Sequence, residues 1–176
     1  MPQSHTIYHR FAQLSDLPAI VAIYNSTIAS RQVTADLTEI SVESRLGWFE
    51  EHHPATRPLW VIEDDLGSGK QTIGWMSFSD FKKRAAYDGT VEVSVYLSPD
   101  VRGKGWGSYC LQLAESYSRQ IGVNVLLGYI FGHNTPSLRL FEKFHYERWA
   151  VMPRIANLDG IERDLIIVGK RVPQDS

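Results

Sequence analysis

The segment Arg102-Gly103-Lys104-Gly105-Trp106-Gly107-Ser108 carries the residue types that bind a phosphate. Its glycines let the backbone turn tightly and approach a ligand closely. It lies between a strand-like run, residues 89–97, and a helix-like run from about Gly105 to Ile121. The unpaired N–H groups of that helix's first turn point outward, where the helix dipole favours an anion. Arg102 and Lys104 add positive charge. Spacing excludes two common phosphate loops. The dinucleotide fingerprint needs a third glycine where Ser108 stands, or Cys110 if counted from Gly105. The Walker loop ends in Gly-Lys-Ser or Gly-Lys-Thr, whereas Gly103-Lys104 is followed by Gly105. A plain strand-to-helix turn would use the same glycines.

Other reactive side chains point to packing rather than chemistry. His5 and His9 share a strand face but have no third ligand nearby, and no zinc-like spacing exists, so no metal is expected. Glu51-His52-His53 reads as a helix end, where histidine suits the dipole. Cys110 falls on the apolar stripe of a helix and is expected to be a buried structural thiol. Trp48, Trp60, Trp75 and Trp149 are expected in the core or a pocket, and Trp106 either on the ligand or against the sheet.

Arg102-x-x-Gly105-x-Gly107, following Val-Ser-Val-Tyr-Leu and Ser-Pro, resembles the pyrophosphate-binding motif of the GCN5-related N-acetyltransferases. Downstream, Asn134-Thr-Pro-Ser137-Leu-Arg-Leu-Phe-Glu-Lys-Phe-His-Tyr146 is similar to that family's second signature. Ala22-Ile23-Tyr24-Asn25, Ala86-Tyr87, Thr90 to Tyr96 and Leu158-Asp159-Gly160 resemble the phosphinothricin and methionine sulfoximine acetyltransferase branch.

The resemblance implies direct transfer of an acetyl group from acetyl-CoA to a primary amine. It implies that the pyrophosphate lies on the backbone of Gly103, Lys104, Gly105, Trp106, Gly107 and Ser108, with Arg102 beside it. The pantetheine arm would run along the strand edge at Val95, Tyr96 and Leu97 like an added strand, with Asn134 binding it from the next loop. A strand amide would polarise the thioester carbonyl. Glu92, sharing a strand face with Ser94 and Tyr96, matches the branch's catalytic glutamate and would take the amine proton. Spacing alone would equally suit an exposed strand carboxylate there. An amino-acid substrate needs a cation for its carboxylate. Arg84 and then Lys82 are expected to supply it, with Tyr87 as a pocket wall, although a solvated basic loop would look the same. Two positions depart from the pattern. Phe141 stands where many members carry an acid for the departing thiolate, and His145 replaces a glycine, as a turn residue that tolerates a left-handed backbone. Two alternatives stay open: a peptide, protein N-terminus or polyamine as acceptor, and a non-catalytic acyl-CoA-binding module.

The elements that must position these residues follow from periodicity. Strands are expected near 5–11, 59–63, 71–79, 89–97, 123–131, 146–152 and 163–171. Helices are expected after Ser15-Asp16-Leu17-Pro18, over 41–52, from Gly105 to Ile121 and over 135–143, with 31–40 as a loop. Asp64 to Gly69 is turn chemistry, and Pro173 to Ser176 is expected to fray. This order gives an α/β class with a mixed sheet and helices on both faces, the architecture of the acetyltransferase family.

Composition bounds the rest. A chain of 176 residues suits a single domain over 1–176. Eighteen Lys plus Arg against 20 Asp plus Glu, a net charge of −2, argues against a nucleic-acid or membrane-surface binder. Hydrophobic residues at 43% and charged residues at 22% are globular values. A single cysteine forbids an internal disulfide and fits a reducing cytoplasm. The start, Met-Pro-Gln-Ser-His, lacks the pattern of a secretory signal. A homodimer is implied by the resemblance alone.

Overall fold

The computed structural model describes residues 6–65, 69–101 and 103–174. Its strands are β1 (Ile7–Phe11), β2 (Leu59–Asp65), β3 (Lys70–Asp80), β4 (Thr90–Leu97), β5 (Val125–Phe131), β6 (Glu147–Leu158) and β7 (Ile161–Arg171). They form one seven-stranded sheet in the order β1-β2-β3-β4-β5-β7-β6. Neighbours pair antiparallel except β4 and β5, which are parallel. The helices are α1 (Leu17–Ile28), α2 (Leu46–Glu50), α3 (Trp106–Gln120) and α4 (Thr135–Lys143).

Apolar spacing explains which face each helix covers. In α1, Leu17, Ile20, Val21, Tyr24 and Ile28 recur at helical intervals and are buried together with Val61 and Trp75 of the sheet. Trp48 and Phe49 of α2 pack against the same cluster. On the opposite face, Trp106, Cys110 and Leu111 of α3 and Leu138 and Phe141 of α4 bury with Val91 and Val93. Strand β4 therefore divides its side chains by its period of two. Val91, Val93, Val95 and Leu97 face α3 and α4, and Tyr96 faces α1. The expected mixed sheet with helices on both faces is present.

Several boundaries differ from expectation for local reasons. The helix expected over 41–52 is a 3-10 turn, Glu43–Arg45, followed by the five-residue α2. Gly47 at its centre disfavours a longer helix. Ahead of α1, Leu14–Asp16 form another 3-10 turn. The Asp16 carboxylate accepts from Gln13 N–H at 2.7 Å and from Arg10 at 2.8 and 2.9 Å instead of capping α1. Strand β6 runs to Leu158, six residues beyond its expected end at Met152, because Asp159 (φ 54°) and Gly160 (φ 86°) close a tight two-residue hairpin. The tail is not wholly frayed: the Gln174 amide donates to the carbonyls of Val123 (3.0 Å) and Val172 (3.1 Å). Leu66, Gly67 and Ser68 of the expected β2–β3 turn lie outside the described residues, as do Asp175 and Ser176.

Candidate active site

The parallel pairing of β4 with β5 covers only Thr90↔Val125, Val91↔Leu126 and Glu92↔Leu127. Beyond Glu92 the ladder on that side stops, while β4 stays paired to β3 as far as Gly74↔Leu97. The backbone of Val93 to Leu97 thus presents an edge inside the sheet. Val95, Tyr96 and Leu97 lie along it. Glu92 stands at the point of divergence, opposite Ser79 of β3. Burial pushes its carboxyl above the usual carboxylate range, since a charge there loses water. Tyr129, two residues beyond Leu127 on β5, lies on the same face and senses the Glu92 charge. Nothing in its local sequence pattern singled it out.

At the far end of that edge the chain enters the glycine turn. Gly103 (φ 79°) and Gly105 (φ 86°) are both left-handed, and Gly105 is the N-cap of the 15-residue α3. A Cβ added at either would meet nothing within 4 Å, so the turn opens outward. Gly107 serves a different purpose, because a Cβ there would lie 2.7 Å from the Leu140 side chain of α4. The amides of Gly107 and Ser108 belong to the first turn of α3, where helices have no internal acceptor. Lys104 is exposed beside the turn, and Arg102 lies outside the described residues. Trp106 is 2% exposed and belongs to the core, which decides between its two expected places.

Asn134 caps α4, accepting from Ser137 N–H at 3.3 Å, and its amide donates to the Gln32 carbonyl at 3.2 Å. Both ends of this buried side chain are therefore engaged within the chain. Phe141 is buried over Gly128, with no proton to offer. His145 adopts φ 64°, the left-handed turn expected where glycine is usual.

On the Glu92 face of the sheet a cavity of about 140 Å³ opens between α1, α2 and the strands. Ser77 and Ser79 of β3 and Ser94 and Tyr96 of β4 form its floor. Tyr24, Ile40, Arg45 and Trp48 form its walls. Tyr96 stacks on Trp75, with ring centroids 4.5 Å apart at 15°. Tyr24 donates a hydrogen bond to Asp36 and shares one of 2.5 Å with Thr34, which ties the loop to α1, and Ile40 at the loop's end lines the cavity. Burial raises the Tyr96 phenol far above its ordinary range, so it stays neutral.

The expected basic anchors lie on a connection outside the cavity lining. Lys82, Arg84 and Tyr87 lie on the β3–β4 connection, near the Glu92 end of β4, and all three are exposed. Like Glu92, none is among the residues that line the cavity. Tyr87 sits edge-on to Phe81 at 5.3 Å, and Lys82 lies over the same ring at 5.7 Å. The cation that does line the cavity is Arg45, which sequence reasoning missed. The signal was available: Arg45 and Trp48 are three residues apart, so a helical turn places them on one face.

The remaining candidates are structural. Burial pushes the Cys110 thiol up to about 12, which removes it as a nucleophile. His9 bonds to the Tyr109 hydroxyl, and His5 lies outside the described residues. His52 is not a cation at a helix end, as expected. It is half-buried edge-on to Trp48, neither ring nitrogen has a hydrogen-bond partner among the described residues, and desolvation lowers it to about 4. No group of three metal-ligating side chains occurs among the described residues.

Residues 20–146 match the model of the acetyltransferase (GNAT) family. The chain is 48% identical over 163 residues to the Bacillus subtilis protein named "Putative phosphinothricin acetyltransferase YwnH", covering 93% of this chain and 98% of that one. It is 31% identical over 156 residues to the L-methionine sulfoximine/L-methionine sulfone acetyltransferase of Pseudomonas aeruginosa, covering 89% of each. A GNAT superfamily phosphinothricin acetyltransferase from Sinorhizobium meliloti, solved in complex with AcCoA, superposes with a TM-score of 0.87 at 27% identity, covering 95% of this chain and 89% of that one. With the split sheet and the glycine turn, these matches make the chain a member of the acetyltransferase (GNAT) family.

Proposed function

We propose that this enzyme transfers the acetyl group of acetyl-CoA to the primary amine of a small amino-acid-like acceptor. The observation that carries this is the position of Glu92. It stands where β4 leaves β5, at the end of the open strand edge, and shares a sheet face with Ser94 and Tyr96, which line the cavity.

The residues present fit acetyl-CoA. The outward turn at Gly103 and Gly105 and the first-turn amides of α3 suit a pyrophosphate, with Lys104 exposed beside it. From Leu97 to Glu92 the open edge spans five residues, about 17 Å of extended chain. An amide-bearing arm would bond there as an added strand. Acetyl-CoA supplies the activated acyl group as a thioester. Glu92 accepts a proton from the acceptor ammonium, directly or through water, and so frees the lone pair of the amine. As the N–C bond forms and the C–S bond breaks, the second proton of the nitrogen passes to solvent water or to the departing sulfur. The raised affinity of Glu92 for protons suits the first transfer better than an ordinary carboxylate's. Phe141 gives the leaving sulfur no proton, so it departs as the thiolate or takes a proton from water.

A small acceptor is supported by the size of the cavity, which has room for several water molecules but not for a folded peptide. Arg45 in its wall disfavours a polyamine. The whole chain reads as one catalytic unit, since both β1 and β7 belong to the site's sheet. Two coarser features support a cytoplasmic homodimer. The lone cysteine is a buried free thiol. Trp149, Val151, Met152 and Ile155 are exposed apolar side chains on the edge strand β6. No helix among the described residues is long and apolar enough to cross a membrane.

Thiol release with L-methionine sulfone, L-methionine sulfoximine and phosphinothricin tests the reading. Turnover by the native chain should fall at least 100-fold in Glu92→Gln. Equal rates would remove Glu92 from the mechanism.

A further inference from the structure

Resting on the acetyltransferase reading, the geometry points to Arg45 as the group that binds an oxyanion on the acceptor's side chain, remote from the reacting amine. Among the described residues, Arg45 is the one charged side chain lining the cavity. Its guanidinium lies over the ring of Tyr24 at 5.0 Å and the ring of Trp48 at 5.6 Å. Two aromatic faces therefore hold the planar group while its N–H donors stay available. Its ion pair with Asp36 spans 3.7 Å, longer than a hydrogen bond, and its side chain makes no hydrogen bond among the described residues. The Asp36 carboxylate instead accepts from Tyr24 and is 44% exposed on its side chain. A guanidinium walled by aromatics with unused donors is a built receptor for a planar or tetrahedral oxyanion.

Position along the strands says which end of the acceptor it reads. Tyr24 tilts against Tyr96 at 5.1 Å, and Trp48 meets Trp75 edge-on at 5.3 Å. Trp75 and Tyr96 face each other in register, four residues beyond Glu92 along β4, about 13 Å of strand. Arg45 thus belongs to the Trp75–Tyr96 end of the cavity. An α-carboxylate is two bonds from the amine, so with the amine at Glu92 it stays at the Glu92 end. The group that reaches Arg45 is the far end of the side chain. The chemistry selected is an amino acid carrying a phosphinyl, sulfonyl or carboxyl oxygen there, with Ser94 on the floor between the two ends.

The test compares native chain, Arg45→Met and Arg45→Lys by thiol release with four acceptors. These are phosphinothricin, L-methionine sulfone, 3-(methylsulfonyl)propylamine, which lacks the α-carboxylate, and L-norleucine, which lacks the distal oxygens. In Arg45→Met, kcat/KM should fall at least tenfold for phosphinothricin and fall by a similar factor for the sulfone with and without its carboxylate. Norleucine and the KM for acetyl-CoA should stay within twofold, and Arg45→Lys should retain part of the lost preference. Loss confined to acceptors with an α-carboxylate would overturn the proposal, as would an unchanged ratio of phosphinothricin to norleucine. A uniform loss on all four, norleucine included, would overturn it in favour of a packing role. If the native chain acetylates no amine, the acetyltransferase reading fails by itself. Calorimetric binding of phosphinothricin to the native chain but not to Arg45→Met would then still support the oxyanion site, and equal binding would overturn it.

Discussion

Asn25 and Ile40 hold each other by two hydrogen bonds: the Asn25 amide donates to the Ile40 carbonyl at 3.0 Å, and Ile40 N–H donates to the Asn25 carboxamide oxygen at 3.0 Å. One side chain of α1 thereby mimics a strand neighbour for a loop residue that walls the cavity. Asn25→Ala removes both bonds, at a cost of about 2 kcal/mol in stability. The expected kinetic result is a several-fold rise in KM for the acceptor with KM for acetyl-CoA unchanged. Equal rises in both would show that the contact supports the whole fold instead of this wall.

Glu92 couples activity to stability with opposite signs. Burial raises its carboxyl pKa in the folded chain. Its contribution to stability is therefore full below the unfolded value and is lost as pH rises through the folded value. Glu92→Gln should inactivate the enzyme while removing that loss. Thermal melts of the two proteins should differ most in the variant's favour at neutral pH and converge toward pH 4. A variant less stable at pH 7 than the native chain would contradict the sign.

His52 predicts the reverse slope. Its folded value of about 4 lies below the ordinary 6.5, so its neutral form is the one the fold accepts. Stability from this group is full above 6.5 and is lost as pH falls toward 4. His52→Phe keeps the edge contact with Trp48 and has nothing to titrate. The drop in melting temperature between pH 7 and pH 5 should be smaller in the variant.

Two glycines separate conformation from packing. Gly105→Ala forces a left-handed backbone on alanine and places a methyl group in the open turn. It should cost about 1 kcal/mol in stability and raise KM for acetyl-CoA. Gly107→Ala keeps a helical backbone and presses on Leu140 instead, so stability should fall with a smaller change in KM. Steady-state kinetics and melts on both variants check the contrast.

The parts of the site most legible in sequence were those set by local pattern. The alternation of Thr90 to Leu97 placed Glu92 on the face opposite Val91 and Val93, and the helix over 135–143 has the expected bounds. The glycine turn announced its left-handed residues by composition. What escaped was set by contact between distant segments. Arg45 reaches the cavity only because a 3-10 turn and a five-residue helix swing it over Tyr24 of α1. Lys82 and Arg84 read as anchors because they precede the Glu92 strand, and the β3–β4 connection carries both exposed. His52 read as a helix end, although its spacing of four from Trp48 already placed the two rings on one helical face.

The break in pairing after Glu92 also bears on self-association. Unpaired strand edges usually attract other strands and seed aggregates. Here the open edge is interior, with β3 bonded on one side and β5 standing across the gap on the other. A narrow extended molecule can enter that slot, but a second sheet cannot, because its own neighbouring strands would collide with β5. Placing the unmet backbone groups inside the sheet instead of at its rim keeps them available to one slender ligand and closed to other folded chains.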